Sequence, residues 1–310
     1  MRWTPGARAD PPWSITVIFK NLSIYTAGKG ISQKTLDDFL GRHKFEPCLP
    51  AQESSAGFTT LFGLDTRVFS VNGCHLFCLK VDEKVIPPSA IKAEFKLRKG
   101  DREGLLGRKL SPAEREEIRE EARKALCEIA FCRPADLWAY LDTKAGILVV
   151  NTTSAKSADG LSKVVKGCMP DHEMLPLTPI RDVKAMMTKW LKSGAASAPF
   201  KLGHKCEITD GEGVIRYKDR LLSDNKLQDY LQEGMQAETL SLVLPDRSAF
   251  VLTTDFVIKE FALDDEVIRS LRVLGADPLE NVSNELREMS DQIRYLIGVF
   301  NDVFSLNSKI

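Results

Sequence analysis

Near the C-terminus, Val282, Leu286, Met289, Ile293, Leu296, Phe300 and Val303 follow one another at spacings that alternate four and three. On a helix that order lays every one of them along a single stripe. Upstream, Asp277-Pro278-Leu279-Glu280 supplies a helix start: a capping side chain, a proline in the first turn, and a glutamate that can reach back. A stripe this long must be covered. A core helix covers it inside the chain, and a heptad seam covers it with another chain. Three heptads do not choose between the two.

A second start of the same kind stands at Ser111-Pro112-Ala113-Glu114. Ile118, Ala122, Ala125, Leu126 and Ile129 then mark one helical face, and Pro134 is expected to stop it. Before this helix, a helical pattern covers Ala90–Lys99 and a polar break follows with Gly100, Gly104 and Gly107. Two helices joined by a basic loop predict a projecting finger over residues 89–134. Its apolar stripe is thin, so its tip needs a partner.

Elsewhere short strands and helices mix, which predicts an α+β fold. Strands are expected at Thr16–Lys20, Gly57–Gly63, Cys74–Asp82, His204–Thr209, Gly213–Arg220 and Phe256–Ala262. Hairpins are expected at Asp136–Asp142 with Gly146–Asn151, and at Glu238–Leu244 with Ser248–Thr254. Helices are expected at Ser32–Leu40 with Ser32 as cap, at Ala155–Lys166, at Asp182–Lys192, and from Ser223 to Gly234. The expected division is a disordered extension over 1–16, a strand-bearing part over 17–88, the finger over 89–134, an α+β part over 135–262, and a C-terminal helical region over 263–310.

Lys+Arg and Asp+Glu number 43 each in 310 residues, so net charge points to no partner. Its distribution is uneven. Residues 91–110 hold seven basic residues against three acidic, residues 181–206 hold six against one, and residues 255–291 hold ten acidic against four basic. Such a chain can show a basic surface to a polyanion while staying neutral overall. The longest strongly apolar run, Gly146 to Val150, is too short to span a bilayer. The N-terminal arm has prolines where a secretory signal has an apolar stretch. Seven scattered cysteines predict reduced thiols and a cytoplasmic protein.

Catalytic signatures are weak. Gly28-Lys29-Gly30 and Gly211-Glu212-Gly213 lack the spacing that wraps a phosphate. Cys74 and Cys78, four apart on a strand, lie roughly 13 Å from each other, too far to share a zinc ion. Asp82, Glu94 and Lys96 have the rough order of a metal-dependent nuclease site, but Glu94 and Lys96 fall on a helix where residues two apart do not share a face. No catalytic residue, metal or cofactor is expected. The strongest binding pattern is Gly213-Val214-Ile215-Arg216-Tyr217-Lys218-Asp219-Arg220. On a strand Arg216, Lys218 and Arg220 project from one face, a rail suited to phosphates. A charged edge strand guarded against aggregation would look the same.

The order of several segments resembles the recombination-associated RdgC family. They are Phe19-Lys20-Asn21-Leu22 with Tyr25, Lys84-Val85-Ile86-Pro87 with Ile91-Lys92, Ala130-Phe131 with Arg133 and Asp142, and Ser154-Ala155-Lys156. Thr188-Lys189-Trp190-Leu191, Pro199-Phe200-Lys201-Leu202, Gly213-Val214-Ile215-Arg216, Leu221, Ser223, Gly234 and Phe250-Val251-Leu252 continue the series. The resemblance covers residues 17–262. It implies a subunit with tip, centre and base regions that forms a ring-shaped homodimer. It further implies encirclement of double-stranded DNA without sequence preference, restraint of RecA-driven strand exchange, no catalysis, and a nucleoid location. The DNA contacts it suggests are Lys92, Lys96, Lys99, Lys156, Lys189, Lys192, Arg216, Lys218 and Arg220. Phe131 falls at the position that closes the ring, and Leu286, Ile293 and Phe300 are expected at the second contact between copies. The alternatives are a metal-dependent nuclease and a protein-interaction scaffold built on the C-terminal helix. The family's pattern is not followed at residues 1–16, at Asp219 and Arg220, or over 263–281.

Overall fold

The computed structural model describes residues 17–271 and 277–307. The extension expected over 1–16 lies outside them. The chain forms two units, neither of them one contiguous segment. Residues 37–67 and 77–138 make the smaller, and the other described residues make the larger. Helix α1 spans Gln33–Gly41, behind Ser32, whose Oγ accepts the Thr35 N–H.

In the smaller unit, β2 (Ser54–Phe58) pairs antiparallel with β4 (Cys74–Lys84), from Ser54 opposite Glu83 to Phe58 opposite Leu79. The strand expected over Gly57–Gly63 begins and ends earlier. Phe62 and Gly63 take positive φ of 55° and 75°, which turns the chain instead of extending it. The finger is α2 (Pro88–Leu106) and α3 (Pro112–Ile129). Helix α2 runs past the expected break: Gly100 and Gly104 stay helical, and only Gly107, at φ 65°, ends it. Glycine is tolerated inside a helix at about 0.5–1 kcal/mol, whereas a left-handed residue terminates it. Helix α3 opens with the complete capping box between Ser111 and Glu114. It closes at Ile129, and Pro134 lies instead within β5 (Cys132–Asp142), near its exposed start. Helix α2 buries no residue and α3 buries only Ile118, Ala122 and Cys127. This is the thin core that the composition of the segment implies.

In the larger unit, β1 (Ser23–Thr26) pairs with β6 (Ile147–Val150), which pairs with the end of β5. Strand β3 (Phe69–Val71) pairs with the first residues of β4. No strand covers residues 17–20. The N–H groups of Val17 and Phe19 donate to Glu285 Oε2 and Met289 Sδ, so they are not free for a strand partner. Helices α4 (Ala155–Lys166) and α5 (Val183–Ser193) stand where the periodicity puts them, capped by Ser154 and Asp182. A five-stranded antiparallel sheet follows, in the order β11 (Ile258–Leu263), β10 (Ser248–Thr253), β9 (Gln236–Leu244), β7 (Lys201–Thr209), β8 (Val214–Lys218). Helix α6 (Asn225–Gln232) is capped by Asp224, one residue after the expected Ser223, because the Asp224 carboxylate accepts the Lys226 N–H. Helix α7 spans Asp265–Leu271.

Helix α8 (Pro278–Phe304) is capped by Asp277 and carries the apolar stripe. Six of its seven stripe residues are fully buried within the single chain, and Val303 is 7% exposed. The stripe therefore belongs to a core helix. Phe300 and Phe304 join Trp190, Phe200, Phe250 and Phe256 in an aromatic cluster with ring centroids 5.0–6.4 Å apart. Leu286, Ile293 and Phe300, expected at a contact between copies, are 0% exposed and have no surface to offer one. Their periodicity was right and their partner is the chain itself.

Candidate nucleic-acid interface

The five-stranded sheet has two unlike faces. Cys206, Ile208, Tyr217, Leu240, Leu242, Phe250, Leu252 and Phe261 are buried, on the side where Phe250 meets Phe300 of α8. The opposite face is polar. Lys205, Glu207, Arg216, Lys218, Lys259 and Glu260 line a shallow hollow of about 270 Å³ there, four cations against two carboxylates.

Pairing register explains the charge pattern. Arg216 lies opposite Glu207, and its Nε is 2.6 Å from Glu207 Oε1. Lys218 lies opposite Lys205, a like-charge pairing that is unfavourable by itself. Lys205 turns to Glu260 instead, at 2.6 Å, and that hydrogen bond raises its pKa further above neutrality. Lys218 has no ion-pair partner among the described residues. Its charge faces solvent.

The expected three-residue rail is two residues long. Strand β8 ends at Lys218, and Asp219 takes φ 55°. A left-handed residue breaks the period of two, so Arg220 leaves the face of Arg216 and Lys218. It sits 4.0 Å from Asp224 at the start of α6, on a separate open hollow with Leu221 and Ser223.

The other expected contacts lie elsewhere. Lys189 and Lys192 are exposed neighbours on α5, whose Trp190 packs against Phe200 and Phe304. They belong to the helical layer over the apolar face, not to the strand face of Arg216. Lys156 is exposed at the start of α4, the helix whose Asp159 holds Tyr25 of β1.

In the smaller unit, Lys92, Lys96 and Lys99 are spaced four and three apart and share one face of α2. With Pro88, Ile91, Phe95 and Arg119 they line a groove of about 450 Å³. The Arg119 guanidinium lies over the Phe95 ring, 5.2 Å from its centroid. Lys99 is 3.8 Å from Glu103, while Lys92 and Lys96 have no ion-pair partner among the described residues. Much of the finger's remaining basic charge is paired: Arg98 with Glu94, Arg102 with Glu121, and Arg108 with Glu114. Phe131 is 88% exposed, so it is not a core aromatic. Its carbonyl accepts the Val85 N–H at 3.0 Å, which fixes where the ring projects.

Three participants escaped the sequence reading. Lys205 and Lys259 join the polar sheet face only through strand pairing. Arg119 joins the lysine groove only because α3 packs on α2. Their local sequence carries no signal of either. For the nuclease alternative, Glu94 is tied to Arg98 at 2.7 Å. Among the described residues no three His, Cys, Asp or Glu side chains are placed to hold a metal ion. Among the described residues no helix is long and apolar enough to cross a membrane.

Residues 17–306 match the family described as "Putative exonuclease, RdgC". The chain is similar to the Recombination-associated protein RdgC of Shewanella loihica, 28% identical over 297 residues, covering 92% of this chain and 97% of that protein. It is similar to the protein of the same name from Shewanella frigidimarina, 26% identical over 294 residues with 92% and 97% covered. The one from Shewanella piezotolerans is 27% identical over 292 residues, with 90% and 95% covered. The family description names an exonuclease and the relatives' names state no activity. With a match that begins before β1 and ends beyond α8, the chain belongs to the RdgC family.

Proposed function

We propose that this protein binds double-stranded DNA without sequence preference, closes around it as a two-fold homodimer, and restrains RecA-dependent recombination in the bacterial nucleoid. The observation that carries the reading is the polar sheet face with Arg216 and Lys218. A flat strand surface with an excess of cations suits phosphates and offers little that reads base edges. The name of the relatives, recombination-associated, supports a role in that process.

Binding follows from counterion release: each phosphate neutralised frees condensed cations into solution. Lys218, Lys92 and Lys96 are the cations best placed to contribute, since no ion pair holds them among the described residues. Arg216 must share its guanidinium with Glu207. Closure uses Phe131, an exposed aromatic at the base of a finger whose own core is thin. A two-fold contact sets the same patch against itself in the second copy. A closed ring leaves DNA only by opening or by reaching an end.

The test is a gel with labelled duplex, with and without Mg²⁺. A retarded band with intact DNA in both lanes supports the reading. Shortened duplex in the Mg²⁺ lane overturns it in favour of the exonuclease that the family description names. No shift at any concentration overturns it in favour of an interaction scaffold.

A further inference from the structure

Strand β2 reads Ser54-Ser55-Ala56-Gly57-Phe58 and ends its sheet, with β4 on one side only. The register shows which backbone groups that pairing leaves over. The Lys84 N–H donates to the Glu53 carbonyl at 2.8 Å, and the Thr59 N–H donates to the Cys78 carbonyl at 3.4 Å. Facing residues of an antiparallel pair alternate between bonded and unbonded. Ser55 and Gly57 therefore turn their N–H and C=O groups to β4, and Ser54, Ala56 and Phe58 turn theirs away. Phe58 is met on that outer side: its N–H donates to the His43 carbonyl, and its own carbonyl accepts the Phe45 N–H. The cover stops there. Ser54 and Ala56 are exposed, and their outward groups have no hydrogen-bond partner among the described residues.

Other outer strands are protected. In the larger unit, Leu175 and Leu177 bond to the backbone of β1, and Lys20 and Leu22 bond to the backbone of β11. Strand β8 carries Arg216 and Lys218, charges of the kind that keep a free edge from pairing. Strand β2 has no charged residue, no proline and an unbroken register. The small side chains of Ser54 and Ala56 leave its backbone approachable. Beside them lies a hollow of about 820 Å³, lined also by Arg42, Lys44, Glu46 and Leu49. Ligand clefts span about 300–1,000 Å³.

We propose that the free edge of β2 is a docking site, where a partner protein adds an extended acidic segment as a further strand. Ser54 and Ala56 offer two N–H and two C=O groups, about 6.6–6.8 Å apart along the strand. An extended peptide presents its own groups at the same repeat. Charge selects the occupant. Lys44 is 3.4 Å from Glu46 and so is already paired. The Arg42 guanidinium lies over the Phe39 ring, 5.4 Å from its centroid, and has no ion-pair partner among the described residues. A carboxylate on the added strand supplies one. The proposal rests on the strand edge and not on the DNA-binding reading.

The full-length protein is placed in deuterated water, alone and with a blocked peptide of alternating valine and aspartate. Exchange is read by mass with fragmentation that resolves single amides. In the protein alone the Ser54 and Ala56 amides exchange fast, while those of Ser55 and Gly57, bonded to β4, exchange slowly. Saturating peptide slows the first two by about tenfold or more. The same peptide methylated on every backbone nitrogen does not. Peptide affinity, read by fluorescence anisotropy, falls several-fold in Ala56→Pro, which deletes an outward N–H and spares the bonds to β4. Ala56→Gly, which keeps that N–H, binds as wild type does. Arg42→Ala binds the valine–aspartate peptide more weakly and a valine–threonine peptide equally well. Unchanged exchange at Ser54 and Ala56 in the presence of the peptide would overturn the proposal. So would equal binding of the methylated peptide. Slow exchange at both amides in the protein alone would also overturn it, in favour of an edge already held by a second copy.

Discussion

Arg294 of α8 places its Nε 2.6 Å from Oδ2 of Asp142, a carboxylate with no exposed surface. The other carboxylate oxygen accepts the N–H groups of Lys144 and Ala145, in the turn between β5 and β6. One ion pair thus joins the long core helix to a hairpin of the larger unit. The same guanidinium reaches Asp291 and the Cys74 thiol. Replacing Arg294 with Met leaves Asp142 charged and uncompensated. The expected loss is about 3–5 kcal/mol of stability, read as a lower urea midpoint. Asp142→Asn in the same chain should recover part of it.

Next to this pair, the Tyr140 hydroxyl is buried with no hydrogen-bond partner among the described residues. Burial pushes the phenol well above its ordinary pKa, so it stays neutral. Tyr140→Phe removes an unsatisfied polar group and keeps the ring against Phe19. The variant should be as stable as wild type or more stable, by up to about 1–3 kcal/mol. A clear fall in melting temperature would mean that the hydroxyl has a partner.

The start of α3 makes a prediction in pH. Glu114 is held down to about 2 by the Arg108 guanidinium first, then by hydrogen bonds from Ser111. A depressed carboxyl adds its stabilisation above its ordinary value of about 4.3 and loses it as pH falls through the folded value. The stabilisation should therefore shrink as pH falls below about 4.3 and be gone near pH 2. Carboxyl titration by NMR should show Glu114 protonating at lower pH than an ordinary glutamate. Arg108→Ala should bring it back up.

Phe131→Ala should leave the fold of the subunit unchanged, since the ring is solvent-exposed. Dimerisation should weaken by about 2 kcal/mol or more, roughly thirtyfold in the dissociation constant. Sedimentation across a concentration series measures this. An unchanged self-association would remove Phe131 from the contact.

The broken rail separates three cations that look alike in the sequence. Arg216→Ala with Lys218→Ala should flatten the dependence of log affinity on log salt, by up to about 4 if both copies engage. Arg220→Ala, off the strand and near Asp224, should leave that slope nearly unchanged; a fall of about 0.9 for each copy would put Arg220 on the DNA path. Circular dichroism should be the same for all, because exposed charges contribute little to folding.

Local chemistry was legible without coordinates. Ser111, Asp182 and Asp277 start their helices because a side-chain acceptor, with or without a following proline, satisfies free N–H groups within a few residues. The stripe from Val282 to Val303 required a long helix with one apolar side, and Ser248–Thr254 and Gly213–Arg220 read as strands, the second running two residues past the strand that forms. What covers the stripe was not legible, since a core helix and a coiled-coil helix share one period; only the meeting of Phe300 with Phe200, Phe250 and Phe256 decided it. The site divides in the same way. Arg216 and Lys218 share a face by the two-residue repeat, but Asp219 adopts a left-handed conformation that no spacing rule foretells, and it carries Arg220 away. Lys205 and Lys259 come to the polar face through strand register, and Arg119 comes to the lysine groove through helix packing. These are relations between distant segments, so they exist only once the chain has folded.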